Sequence, residues 1–108
     1  MPSRNKFSNV TFGRRLRQLR QLRKLAQDEL GVMAGLEESS SSARMSRYES
    51  GIHEPPFQFV EALAQVLNVS PAYFFCPDDR LADLILIYSG VPELKRCALH
   101  EAAKGLSE

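Results

Sequence analysis

The stretch "SSSSARMSRYESG", residues 39–51, places two guanidinium groups, Arg44 and Arg47, three positions apart among hydroxyls. A guanidinium offers a planar fork of donors that fits two acceptors at once, either phosphate oxygens or the O6/N7 edge of a guanine. Spaced three apart on a helix, the two arginines project from neighbouring faces. One can therefore reach a base while the other holds a phosphate. Serine hydroxyls and backbone N–H groups at a helix start, here at Ser40, Ser41 and Ser42, add donors for phosphate oxygens. Catalytic chemistry is far less well provided. His53 and His100 stand far apart, Cys76 and Cys97 lack metal-ligand spacing, and the chain has no Gly-rich phosphate loop or nucleophile motif. An enzyme is not expected, and neither is a metal or a cofactor.

The formal net charge of +1 conceals a strong polarity along the chain. Residues 1–27 carry eight Lys or Arg and no acid, residues 28–54 two bases and six acids, and residues 55–108 four bases and seven acids. A basic end of this kind suits a polyanion, although a solvated helix face is the commoner origin of a charge run. Arg14 and Arg15 are the candidates there for sequence-independent phosphate contacts. With 108 residues, one compact domain with a helical extension is expected. No apolar leader and no run of ~18 apolar residues is present, so a cytoplasmic protein without a membrane span is expected.

Helical periodicity supplies the frame for these groups. Phe12, Leu16, Leu19 and Leu22 recur at helical spacing, predicting an amphipathic helix over 9–24 with Ser8 or Asn9 as its cap. A second helix is predicted from Gln27 to Ala34, with Asp28 and Glu29 in its first turn and Gly35 at its end. A third, short helix follows the serines, with Ala43, Met45 and Tyr48 as its buried stripe and Gly51 beyond its end. Phe57, Val60, Leu63, Ala64 and Leu67 form a further core stripe, and Ser70–Pro71 is a cap followed by a first-position proline. Leu81 to Tyr88 are apolar around nearly the whole circumference of a helix, more than one core can bury, and a last helix fits residues 92–104. No segment alternates as a strand does, so the fold class is all-α.

Gln27, Gly31 and Gly35 stand at first, fifth and ninth place, the spacing of a DNA-binding helix-turn-helix. Gly31 leaves room for the crossing helix and Gly35 can take positive φ in the turn. Through "FGRRLRQLRQLRKLAQDELGVMAG", "RMSRYESGIHEPP" and "FVEALAQVLNVSPAYFF", about residues 12–75, the chain resembles the Cro and phage-repressor (Xre) type of helix-turn-helix transcriptional regulator. The resemblance implies a five-helix DNA-binding domain whose third helix enters the major groove. It implies that Gln27 bonds a phosphate and buttresses the third helix, that Ser42, Ala43 and Arg47 face base edges with Arg44 and Ser46 beside them, and that Ser41 caps that helix. It also implies a structural ion pair between Arg20 and Glu49. His53 stands where members of the family often carry Lys or Arg, implying weaker backbone affinity on that side. The chain departs from the family in one place: between Leu36 and Met45 it has four residues more than the usual turn. Either the third helix gains a turn or the connection is a longer loop, and the first is favoured because a slack linker would detach Arg44 and Arg47 from their scaffold.

These expectations divide the chain into a helix-turn-helix domain over 8–76 and a C-terminal helical extension over 77–108. A short reading helix covers few base pairs, so a homodimer on a two-fold operator is expected. Leu81, Leu84, Ile85, Tyr88 and Leu94 are its interface, and the alternative is a monomer whose last helix folds back over Leu84 and Ile87. The partner expected is double-stranded operator DNA, bound by a repressor. The other reading is an antitoxin or adaptor whose C-terminal helices hold a partner protein.

Overall fold

A computed structural model describes the backbone of residues 2–108 and the side chains from residue 9 onward. Its elements run α1 (Pro2–Leu22), α2 (Gln27–Met33), α3 (Glu38–Glu49), α4 (Phe57–Leu67), a 3-10 turn (Pro71–Phe75), α5 (Asp79–Gly90) and α6 (Glu93–Ser107). The described residues contain no strand, and the all-α expectation holds.

The first helix begins well before residue 9, so the backbone of Ser8 and Asn9 lies within it rather than at its N-terminus. It ends at Leu22 rather than residue 24, where Lys24 adopts positive φ (60°) and the Leu25 amide donates back to the Arg20 carbonyl at 3.1 Å. Phe12, Leu16 and Leu19 are its buried stripe. They meet Leu30 of α2, Met45 and Tyr48 of α3, Val60, Leu63, Ala64 and Leu67 of α4, and Tyr73 and Phe74 of the 3-10 turn in one core.

The ends of α2 and α3 are built alike. Gly35 at φ 112° lets the Leu36 amide reach the Gly31 carbonyl at 2.9 Å. Gly51 at φ 81° lets the Ile52 amide reach the Arg47 carbonyl at 3.0 Å. Each is the left-handed glycine closure that satisfies the last carbonyls of a helix and turns the chain sharply. Ser70 accepts from the Ala72 amide at 3.2 Å and so caps the 3-10 turn ahead of Pro71.

Beyond residue 76 the two helices differ. Helix α5 sends Ala82 into the core, rests Ile85 and Leu86 against it, and places Ser89, whose hydroxyl accepts from the Ser70 amide at 3.2 Å. Helix α6 buries no residue. It is held by Arg96, whose Nε and Nη2 donate to the Tyr88 and Ser89 carbonyls, each at 2.9 Å, while its guanidinium lies over the Tyr88 ring. Leu84 and Ile87 remain exposed, so α6 does not fold back over them. Among the described residues no helix is long and apolar enough to cross a membrane.

Candidate nucleic-acid interface

The geometry of α3 is set by two small contacts and one charged cluster. At Gly31 an added Cβ would collide with the Ser41 hydroxyl and lie 2.8 Å from Met45 Cγ, so α2 and α3 cross at a separation only glycine permits. At Gly13 an added Cβ would run into the Glu49 carbonyl, which fixes α1 against the last turn of α3. The role of Gly13 is not legible in the sequence, because a lone glycine inside an amphipathic helix carries no pattern of its own.

Arg20 donates through Nε to Glu49 Oε2 at 2.6 Å and through Nη2 to Oε1 at 3.1 Å, and through Nη1 to the Leu25 carbonyl at 2.8 Å. Gln27 Nε2 donates to the same Glu49 Oε1 at 3.0 Å. The Glu49 side chain is 3% exposed, so this carboxylate is buried and fully partnered. Two helices, α1 and α2, thus converge on one residue of α3. At the start of α2 the Ala26 amide donates to the Glu29 carboxylate at 3.2 Å, fixing the first turn that carries Gln27.

The serine run is helix. Helix α3 spans 12 residues with Glu37 at its cap, and the connection from α2 is short, so the four extra residues form an added N-terminal turn. Ser41 is not a cap and does not face solvent. It is 0% exposed, and its hydroxyl donates to the Asp28 carbonyl at 2.8 Å. The buried stripe of α3 is therefore Ser41, Met45 and Tyr48, at i, i+4 and i+7, and not Ala43, Met45 and Tyr48 as its apolar residues suggest. A hydroxyl small enough to lie beside Gly31 takes the inner position and Ala43 is turned outward.

The remaining sites sort by exposure. Ser42, Ala43, Ser46 and Arg47 are exposed along α3, and His53 is exposed in the loop after it. Arg44 leans sideways, its Nη2 donating to the Tyr48 hydroxyl at 3.3 Å. Ser40 is half-buried with its hydroxyl directed at the Glu37 carbonyl at 3.5 Å.

Arg14 and Arg15 of α1 serve the fold. Arg15 is buried, with Nε donating to the Cys76 carbonyl at 2.8 Å and Nη2 to the Pro77 carbonyl at 3.2 Å and Asp79 Oδ1 at 2.8 Å. Arg14 Nη1 reaches the same Asp79 oxygen at 3.2 Å. Arg15 is thus not a surface phosphate contact, and Arg14 is tied to the start of α5. Hydrogen bonds from Arg15 and then Arg14 hold the Asp79 carboxyl below its ordinary value. Similarly, α5 divides by face: Ala82, Ile85, Leu86 and Ser89 turn inward, so Ile85 is withdrawn from the exposed set, while Leu81, Leu84, Ile87 and Tyr88 face out, with Leu94 exposed on α6.

Two helices crossing at a glycine, joined by a glycine-closed turn, with the second offering small polar and cationic side chains outward, define a helix-turn-helix protein. Comparison with known proteins agrees. A family model described as a helix-turn-helix domain matches residues 11–73. The crystal structure of the transcriptional regulator BswR superposes with a TM-score of 0.80 at 39% sequence identity, covering 86% of this chain and 92% of that one. No curated protein matches the chain. The chain belongs to the helix-turn-helix domain family, among the transcriptional regulators of Cro and phage-repressor type.

Proposed function

We propose that the protein is a sequence-specific transcriptional repressor that lays α3 in the major groove of an operator duplex and does so as a homodimer. The observation that carries this reading is the division of α3. Ser41, Met45, Tyr48 and Glu49 lock one side into the scaffold, while Ala43, Ser46 and Arg47 stand clear of it. Arg47 is the base reader, through the paired acceptors of a guanine, and Ser42 and Gln27 approach phosphates. His53 contributes at the rim.

The second copy seats on the outer face of α5. Leu81, Leu84 and Tyr88 follow one another at i, i+3 and i+7, all about half exposed, and Leu94 extends this apolar surface onto α6. Two reading helices on one face of the duplex then meet half-sites about 34 Å apart. The exposure of α6 also suits the second reading, in which these helices hold a different protein.

Selection of bound sequences from random duplex DNA, together with the sedimentation mass of the full chain, tests the proposal. A two-fold symmetric consensus and a dimeric mass are expected. Binding without a consensus sinks the operator reading, and a stable monomer that captures a second polypeptide favours the adaptor.

A further inference from the structure

We infer that the added N-terminal turn of α3 widens each half-site by one to two base pairs, with Ser39 as the extra specificity-determining residue. This rests on the reading of α3 as the helix that enters the groove. Recognition helices present their N-terminal residues to base edges. One more turn there advances the reading surface by about 6 Å along the helix axis, against a rise of ~3.4 Å per base pair.

The added turn is fixed in place. The Ser41 hydroxyl anchors it to the Asp28 carbonyl, and Gly31 lets it seat against α2 without a gap. With Ser41, Met45 and Tyr48 turned inward, the residues on the far side of the helix are Ser39, Ala43 and Ser46, at i, i+4 and i+7, and all three are exposed. Ser39 therefore continues the outward line of Ala43 and Ser46 by one turn. Of the other hydroxyls in that turn, Ser41 is committed to Asp28, and Ser40 is half-buried and leans toward the Glu37 carbonyl. The neighbouring Glu37 and Glu38 are exposed carboxylates, which repel phosphates. The turn is thus suited to a base edge more than to the backbone, and a hydroxyl can donate or accept there.

The test is sequence selection from random duplex DNA at fixed salt with the full chain, Ser39→Ala and Arg47→Ala, followed by titration of each on the wild-type consensus. Ser39→Ala is expected to bind that consensus about fivefold more weakly, the scale of one hydrogen bond. It should lose preference at the outermost positions of each half-site and keep the inner ones. An unchanged consensus for Ser39→Ala, beside an altered one for Arg47→Ala, overturns this inference alone. An unchanged consensus for both variants overturns the reading of α3 itself.

Discussion

Arg20 of α1 grips Glu49 of α3 through two of its nitrogens, at 2.6 and 3.1 Å, and Gln27 of α2 shares the same carboxylate at 3.0 Å. A charge that is 3% exposed is tolerable only with such partners. The pair thereby fixes where α3 ends relative to both helices that present it.

Removing one member of this pair strands the other. Arg20→Ala or Glu49→Ala is expected to lower the free energy of unfolding by about 3 to 5 kcal/mol, read by urea denaturation followed by circular dichroism. Replacing both residues with apolar side chains should recover a large part of that loss, because no uncompensated charge then remains.

The crossing of α2 and α3 makes a coupled prediction. Gly31→Ala drives a methyl into the Ser41 hydroxyl and should destabilise the protein by about 1 to 3 kcal/mol. Ser41→Ala alone should cost about 1 kcal/mol for its bond to the Asp28 carbonyl. The double variant should cost less than the two added together, since the hydroxyl that collides is gone. Gly13→Ala meets backbone at Glu49, so no side-chain substitution there should relieve it. Additive losses at Gly31 and Ser41 would show that the two do not meet.

Two arginines of the basic end and the reading helix should behave oppositely. Arg15→Ala removes a buried clamp on the Cys76 and Pro77 carbonyls and should lower Tm markedly. Arg47→Ala, exposed on α3, should leave Tm unchanged while reducing discrimination between operator and scrambled duplex by about 1 to 3 kcal/mol. Differential scanning calorimetry and binding titrations on the same samples separate the two effects.

The pairing of Asp79 with Arg15 and Arg14 predicts a pH signature. Its folded value lies below the ordinary 3.8, so the ionised form favours the folded state. That contribution is complete above pH 3.8 and fades as pH falls through the lowered folded value. Asp79→Asn should therefore unfold more easily than the parent at pH 6, and the gap should close in the most acidic part of a titration monitored by fluorescence or circular dichroism. A gap that widens with acid would contradict the assignment.

Much of the helical frame can be read from the sequence because it rests on patterns of type and spacing. Gly31 and Gly35 four apart, Ser70 before Pro71 and the stripe from Val60 to Leu67 each carry their own local reason. What escapes is set by partners distant along the chain. Arg15 looks like one of several surface cations until the carbonyls of Cys76 and Pro77 close around it. Ser41 looks like a polar entrance residue and Ala43 like core, yet the room beside Gly31 reverses them. The start of α1 is not legible either, because its apolar stripe begins at Phe12 while its backbone helix begins at Pro2.

Since Ser39, Ala43 and Ser46 are exposed and small and the scaffold behind them is held by Glu49, Ser41 and Gly31, new side chains can occupy those three places at little thermodynamic penalty. Duplicated descendants of such a gene could drift to fresh targets by changing a handful of codons, without ever passing through an unfolded ancestor.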